Sequence, residues 1–468
     1  MKMFDPYVNA TELGRGFADG SLSPLEVTRA FLDRIHVTDA TTNAYVTISE
    51  ESAINAARAS EVRHRNNQVL SAIDGVPVSV KDLVFTAGIR TTAGTRVFQN
   101  FVPEQDAVTV ARLKQAGAVL LGKTNTPEFG FKSSTENDLF GATNNPWNTL
   151  RTAGGSSGGS GAAVAAGLSP LSLGTDAGGS IRTPASFCGI VGLKPTFGLV
   201  PNGPGFGGAS TLVHSGPMAR TVADAAAMLE VIAGIDAGDR LSVESPQRGF
   251  AESLAPPAAP LRILWSPNLG YAAVDPEVSN LCESAVTAFV DAGHRVESDD
   301  FAIADPEDCF NIIMRAENYV AAHQLVDKHS AALDPGYVEY TRRGAELSAL
   351  DYLDAQAERD RTVAAIAALF ERYDLLITPT LAVPPFPHDQ RPETVNGKPI
   401  RGMNWLSFTY PFNLSGNPAI SVPCGWTDDG LPVGLQLVAP RFADRELLGA
   451  AALFEQLRPW SARRPPVD

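Results

Sequence analysis

The chain has 468 residues, of which 44% are hydrophobic, so it is long and apolar enough to bury a sizeable core. Its formal net charge of -15 argues against nucleic acid as a steady partner, because binding to phosphates needs a basic face. No apolar run approaches the roughly 18 residues of a membrane span. The opening residues, MKMFDP, lack the apolar core of a signal peptide, and the cysteines are few. We therefore expect a cytoplasmic protein without a membrane partner.

The chain shows no repeat, no long low-complexity linker and no clean break in composition. We therefore expect one domain over residues 1–468, although length alone would favour about three. Its parts are a helical N-terminal region (about 1–70), a central region (about 71–235) and a C-terminal region (about 261–460). Residues 237–260, rich in Asp, Ser, Pro and Ala, predict a surface excursion between the last two. In the first part, Ser23-Pro24-Leu25-Glu26 predicts the start of a helix.

Strand-like runs alternate with helical patterns further along the chain, at residues 118–121, 261–265, 375–378 and 431–438. This alternation predicts an α/β fold with a central sheet between helices. We expect the helical stretch 306–373 to cover one side of any site. The proline-rich residues 379–399 predict an irregular loop near the mouth of a pocket.

Two glycine-dense segments each contain a serine. The first, GGSSGGSG at 154–161, predicts a loop, since glycine loses more conformational entropy than any other residue in a regular element. The second, GTDAGGSIRTP at 174–184, follows an apolar stretch and ends in a proline that should interrupt regular structure. Its small residues leave backbone N–H groups free to converge on an anion. Ser180 is therefore placed as a nucleophile beside an oxyanion hole, and the alternative is a tight turn without chemistry.

A lysine ends an apolar run in the segment GVPVSVKD at 75–82. The run predicts a buried strand, and burial lowers the pKa of a lysine because it disfavours the charged form. A neutral amine at Lys81 is a competent general base. The alternatives are a lysine whose ammonium reaches solvent, or one paired with Asp82. The two serine segments favour the general base.

Taken together, these segments resemble the amidase signature family. The stretch GGSSGGSGAAVAAGLSPLSLGTDAGGSIRTPASFCGIVGLKP at 154–195 is similar to its defining segment almost throughout. The segments GVPVSVKDL, GKTNTPEFG, GNPAISVPCG and GLPVGLQLVAP are similar to its other conserved blocks, so the resemblance spans nearly the whole chain. One departure is Ala153, where the family often has proline, and it lies outside the reacting groups.

The resemblance implies a central mixed β-sheet covered by helices on both faces, with the catalytic core in the region 71–235. It implies Ser180 as the nucleophile, Ser156 as a bridging serine after a cis peptide bond, and Lys81 as the base. It further implies an oxyanion hole formed by Ala177, Gly178, Gly179 and Ser180. The loop would be braced by Thr175, Asp176 and Arg182. No cofactor and no metal are implied.

Three other patterns compete with this interpretation. GAVLLGKT at 117–124 matches a phosphate-binding loop, but Ala118 to Leu121 predicts a buried strand where that loop needs small, flexible residues. Residues 155–159 fit a nucleophile elbow on Ser157, with a histidine such as His214 as partner. We interpret His214 as structural. The four cysteines lack the paired spacing of a zinc site.

The resemblance also bears on the substrate. Relatives that hydrolyse glutamine carry an arginine and an aspartate for its charged ends. This chain offers Arg359, but Leu406 stands where the aspartate should fall. An unpaired buried ammonium is costly, so we expect an uncharged aryl or alkyl amide, with carbamates and esters as further substrates. The expected contacts to the substrate are Asn125, Phe129, Phe131, Phe206, Cys309, Trp405 and Phe408.

The sequence leaves two other functions open: a glutamine-hydrolysing component of a heteromeric amidotransferase, and a scaffold that keeps the fold without activity. The presence of Lys81, Ser156 and Ser180 disfavours the scaffold. We expect the protein to act alone on a small-molecule amide or carbamate, as a monomer or homodimer.

Overall fold

The computed structural model describes residues 4–206, 208, 210–252, 254–299, 301–388 and 390–467. The helices in these ranges are α1 (Ala10–Ala18), α2 (Pro24–Thr42), α3 (Glu50–Arg65), α4 (Val108–Gln115), α5 (Gly158–Ala165), α6 (Arg182–Cys188), α7 (Val222–Ile232), α8 (Pro276–Asp291), α9 (Glu307–His329), α10 (Pro335–Arg343), α11 (Ala349–Arg372), α12 (Tyr410–Ser415) and α13 (Asp444–Leu457).

The strands are β1 (Tyr45–Ile48), β2 (Pro77–Lys81), β3 (Val119–Thr124), β4 (Glu136–Asn137), β5 (Gly141–Ala142), β6 (Asn144–Asn145), β7 (Asn148–Thr152), β8 (Leu171–Asp176), β9 (Val191–Lys194), β10 (His214–Ala219), β11 (Arg262–Trp265), β12 (Arg295–Glu297), β13 (Leu375–Pro379), β14 (Thr394–Val395), β15 (Lys398–Pro399), β16 (Ala419–Trp426) and β17 (Pro432–Val438).

One large sheet runs through the molecule, with the strand order β1-β3-β2-β8-β10-β9-β16-β17-β13-β11-β12. Strand β2 is parallel to both β3 and β8, and β11 is parallel to β12 and β13. The remaining neighbours are antiparallel. The sheet is therefore mixed, as predicted.

Side chains on the strands alternate between two hydrophobic clusters, one on each face of the sheet. Ile263 and Ile377 belong to the larger cluster, whereas their chain neighbours Leu264 and Leu376 belong to the second. Because successive strand residues point to opposite faces, the two clusters lie on opposite sides of the sheet. Helix α8 contributes to the larger cluster, and α9 and α11 contribute to the second. The predicted α/β fold with helices on both faces is confirmed.

Local predictions mostly hold. Ser23 caps α2 by accepting a hydrogen bond from the backbone N–H of Glu26 at 3.2 Å, and Pro24 is the first helical residue. Within the described part of residues 233–261 there is neither a helix nor a strand, as expected for a surface excursion. The described part of the predicted loop 379–399 is largely irregular, apart from the last residue of β13 and the short strands β14 and β15. Among the helices described, none has the length and apolar character needed to cross a bilayer.

Two expectations about the glycine-dense segments are wrong. The second half of residues 154–161 is not a loop, because α5 begins at Gly158. Cβ atoms at Gly158 and Gly159 would collide with the Thr135 side chain and the backbone of Asn125. The close packing of α5 therefore outweighs the entropic cost of helical glycine. Pro184 also lies inside α6, in its first turn, where a missing N–H costs no helical hydrogen bond.

Candidate active site

The site lies where two parallel strands end. Lys81 is the last residue of β2, and Thr175 and Asp176 end the neighbouring strand β8. Since the carboxyl ends of parallel strands meet at one edge of a sheet, residues about 95 positions apart in the chain become neighbours. Ligand sites of open α/β sheets form at such an edge.

Lys81 is fully buried. Its Nζ lies 2.7 Å from Ser156 Oγ and 2.9 Å from Thr175 Oγ1. Burial lowers the pKa of this amine to about 7, against the opposing attraction of the Asp176 carboxylate. A large share of the lysine is therefore neutral at pH 7, and a neutral amine can take a proton from the Ser156 hydroxyl.

Ser156 connects the lysine to the second glycine segment. The peptide bond between Gly155 and Ser156 is cis. The backbone N–H of Ser157 donates to the carbonyl of Ser180 at 3.1 Å, which ties the two serine segments together. Ser180 Oγ makes no hydrogen bond to Ser156 within the part of the chain that the structure describes. Hydrogen bonds between reacting groups are often long in ligand-free enzymes and shorten when substrate binds.

Gly130 keeps open the space beside Ser156. It has φ +71°, and a Cβ there would lie 2.9 Å from Leu83 Cδ1 and 3.1 Å from Ser156 Oγ. A side chain at residue 130 would therefore crowd Ser156 and strain the backbone. The sequence analysis did not single out this glycine, although it ends the segment GKTNTPEFG.

The loop 177–180 lines the cavity in full, but its four backbone N–H groups are not equivalent. The amide of Gly179 donates to Asp176 Oδ1 at 2.7 Å. The amides of Ala177, Gly178 and Ser180 make no hydrogen bond to any described residue. These three amides are therefore free to donate to a group in the cavity, whereas that of Gly179 helps to hold the loop.

Asp176 and Arg182 form a fully buried ion pair behind the loop. Arg182 Nη2 lies 2.9 Å from Asp176 Oδ1, and Arg182 Nε lies 3.0 Å from Oδ2. Burial by itself would raise the pKa of Asp176, but Arg182 outweighs it and holds that pKa well below its ordinary value. The carboxylate therefore stays charged and fixes the backbone that follows β8.

The C-terminal region completes this brace. Arg182 also donates to the carbonyl of Thr409 at 2.9 Å and to Asn413 Oδ1 at 2.7 Å. Thr409 Oγ1 donates to the carbonyl of Gly178 at 2.7 Å. A Cβ at Gly178 would lie 2.6 Å from Phe310 Cζ, so this position must remain glycine. The sequence analysis missed Thr409 and Asn413, because no local pattern connects them to residues 227 to 237 positions earlier in the chain.

A cavity of about 550 Å³ opens onto Ser156 and Ser180. Of the predicted substrate contacts, Phe129, Phe131, Phe206 and Trp405 line it. Three of these rings join a continuous aromatic wall with Tyr337 and Tyr340. The centroid distances are 5.8 Å for Phe129 and Phe206, 4.9 Å for Phe129 and Tyr337, and 4.9 Å for Phe131 and Tyr340.

The other predicted contacts do not reach this cavity. Asn125 is buried and donates to Thr143 Oγ1 at 3.0 Å and to the carbonyl of Gly141 at 3.2 Å, so its amide supports the scaffold. Cys309 and Phe408 pack into the second hydrophobic cluster. These three side chains therefore support the protein interior and do not line the cavity.

Helix α9 supplies lining residues that the sequence analysis missed: Phe310, Asn311, Met314, Arg315 and Asn318. Their spacing of one, three or four residues places them on one helical face. This helical spacing is the sequence signal from which these lining residues could have been predicted. Together they confirm that the helical stretch 306–373 covers one side of the cavity.

The competing patterns have structural explanations. Ser157 Oγ is committed to the backbone of Thr175, donating to its carbonyl at 3.1 Å and accepting from its N–H at 3.3 Å. Lys123 of the phosphate-loop pattern is buried in β3 and donates to Val84, Thr86 and Thr91. His214 is buried, with Nδ1 2.8 Å from the carbonyl of Leu212. All four cysteines are buried, and none forms a disulfide bond.

Comparisons with known proteins agree with this geometry. Residues 26–448 match the family model described as Amidase. An acylamidase of Rhodococcus erythropolis is 38% identical over 464 residues, covering 98% of this chain and 97% of that protein. The A component of a glutamyl-tRNA(Gln) amidotransferase from Chloroflexus aggregans is 36% identical over 485 residues, covering 98% of each chain.

A solved structure is also close. The crystal structure of a bacterial aryl acylamidase, itself assigned to the amidase signature enzymes, superposes with a TM-score of 0.90 at 30% identity and 97% coverage of both chains. The sheet, the family match and the relatives thus agree along nearly the whole chain. The protein belongs to the amidase signature family and is a hydrolase that acts on amide C–N bonds.

Proposed function

We propose that the protein cleaves uncharged aryl or alkyl carboxamides through an acyl-enzyme on Ser180. Neutral Lys81 takes the proton of Ser156, and Ser156 takes that of Ser180, whose Oγ attacks the carbonyl carbon of the amide. The C–N bond breaks as the proton returns along the same path to the leaving amine. Water then attacks the ester on Ser180 by the same relay and releases the carboxylic acid.

The contact between Lys81 Nζ and Ser156 Oγ at 2.7 Å is the observation that carries the proposal. It joins an amine whose pKa is about 7 to a serine at the cavity wall. The free amides of Ala177, Gly178 and Ser180 supply donors for the oxyanion, and such preorganised donors are usually the largest catalytic contribution. This chemistry draws only on groups of the chain itself.

The cavity favours neutral amides over glutamine. Leu406 lines it where a counter-charge for an ammonium group is needed. Arg359, the arginine available from sequence, does not line the cavity, because its guanidinium donates to the carbonyls of Leu414 at 2.7 Å and Thr211 at 3.1 Å. The aromatic wall suits an aryl or alkyl group. Carbamates and esters pass through a similar tetrahedral intermediate, so we propose them as further substrates.

The test is release of aniline from a simple acyl anilide by the purified protein alone. We expect Ser180→Ala to abolish turnover and Lys81→Ala to lower kcat by several orders of magnitude. Ammonia release from glutamine serves as the comparison, because relatives named as amidotransferase components are about as similar to this chain as the acylamidase. A protein that acts on glutamine but is inert toward anilides, alkyl amides and esters would contradict the proposal in favour of the amidotransferase role.

A further inference from the structure

The cationic side chain of Arg315 in the cavity wall forms no ion pair with any described residue. Arg315 lies on α9 and lines the cavity. Its Nε is buried and makes no hydrogen bond within the described chain. Its guanidinium lies over the face of the Tyr340 ring, with Cζ 5.6 Å from the ring centroid. Its Nη groups make no hydrogen bond to a described residue either, and because Arg315 is only half-buried they remain accessible to an acceptor in the cavity.

The other ionic groups inside the cavity are already engaged. Lys132 Nζ lies 2.7 Å from Asp334 Oδ2. Asp239 accepts from the backbone N–H of Asn202 at 2.9 Å, and Glu307 accepts from that of Met403 at 2.9 Å. Arg391, exposed at the rim, also forms no ion pair with a described residue. Asp239 and Glu307 balance the two arginines in number, so the lining has no excess of positive charge, and Arg315 stands out because no described acidic side chain forms an ion pair with it.

We infer that the cavity also binds amides that carry a carboxylate remote from the scissile bond, with Arg315 as the residue that holds that carboxylate. The inference rests on the proposed hydrolysis at Ser180 and adds a substrate class to the neutral amides. A guanidinium presents a planar set of donors that matches a carboxylate in two parallel hydrogen bonds. An ammonium group would instead be repelled by the same arginine.

The experiment compares two anilides that differ in one group. Glutaranilic acid carries a terminal carboxylate, and N-phenyl-5-methylhexanamide replaces that carboxylate with an isopropyl group of the same shape. We expect the ratio of their kcat/KM values, charged over neutral, to fall about 10- to 100-fold in Arg315→Met, the range for hydrogen bonds to a charged group. Arg315→Lys should restore part of the ratio, and added salt should lower it in the wild type.

Arg343→Met is the matched control, because Arg343 lies on α10, outside the cavity, paired with Glu339 at 2.5 Å. It should leave the ratio unchanged. A ratio that Arg315→Met does not change overturns the inference. Turnover of the neutral anilide without binding of the charged one also overturns it, and leaves the proposed function intact.

If neither anilide is hydrolysed, calorimetric measurement of their binding to Ser180→Ala still tests the carboxylate site at Arg315 separately from hydrolysis at Ser180. Tighter binding of glutaranilic acid that is lost on adding Arg315→Met would support the carboxylate site although hydrolysis fails. The inference is overturned if Ser180→Ala binds the two anilides with equal affinity. It is also overturned if adding Arg315→Met leaves the affinity for glutaranilic acid unchanged.

Discussion

The pKa of Lys81 predicts how the stability of the protein depends on pH. Folding lowers that pKa from its ordinary value of 10.5 to about 7, because the amine is fully buried. Between these pH values the unfolded chain keeps a proton that the folded protein has lost, so the free energy of unfolding rises with pH. Below pH 7 the amine is charged in both states, and its burial destabilises the protein by about 5 kcal/mol.

Replacing Lys81 with methionine removes this titration while keeping the length of the side chain. The variant should unfold with a higher free energy than wild type at pH 7, by as much as about 4 kcal/mol. This advantage should shrink by about 1.6 kcal/mol between pH 7 and pH 8.5. Loss of the hydrogen bonds to Ser156 and Thr175 lowers this advantage at both pH values. The change in the stability difference between the two pH values is therefore the better test, because that loss largely cancels in it.

The assay is denaturant unfolding of both proteins at several pH values from 6.5 to 9. Lys398→Met, which removes an exposed lysine on β15, is the control for the loss of a lysine as such. The kcat/KM of the wild type should rise about tenfold per pH unit below 7 and level off above it. A stability difference for Lys81→Met that stays constant from pH 6.5 to 9 would refute the depressed pKa, and with it the neutral base.

Three further substitutions test the site. Gly130→Ala should lower kcat/KM for an anilide at least tenfold, because its Cβ crowds Ser156. Gly397 has the same φ of +71° but open space around it, so Gly397→Ala should leave anilide turnover unchanged. Equal effects of the two substitutions would contradict the steric argument. Arg182→Met should lower the free energy of unfolding by about 3 to 5 kcal/mol in denaturant titrations, because it leaves a buried carboxylate without its cation; a loss below about 1 kcal/mol would count against the brace. Ser157→Ala should keep anilide turnover within about thirtyfold of wild type, since each of the two hydrogen bonds that Ser157 Oγ makes to the Thr175 backbone is worth about 1 kcal/mol, and complete loss would favour Ser157 as the nucleophile.

Short-range patterns predicted the parts of the site that depend on local sequence. The apolar run before Lys81 predicted a buried strand end, and β2 ends there. The small residues before Ser180 predicted a turn with free amides, and the turn lies between β8 and α6. In both cases strand burial and glycine geometry are properties of a few adjacent residues.

The predictions that were wrong concern features that depend on packing between distant parts of the chain. Glycines at 158 and 159 predicted a loop, but they allow α5 to approach the backbone of Asn125, a contact that no local pattern contains. Cys309 was expected in the cavity, yet its neighbour Phe310 lines it, because adjacent helical residues point about 100° apart. Only the tertiary arrangement determines which of the two faces the site.

The most direct test of the central claim is to locate the covalent intermediate. The protein is incubated with a 4-nitrophenyl carbamate, which acylates the nucleophile and deacylates slowly, and is then digested and sequenced by mass spectrometry. We predict that the carbamoyl group is found on Ser180 in the wild type and is absent from Ser180→Ala. A carbamoyl group on Ser156 or Ser157, or labelling that persists at full yield in Ser180→Ala, would contradict acyl transfer at Ser180.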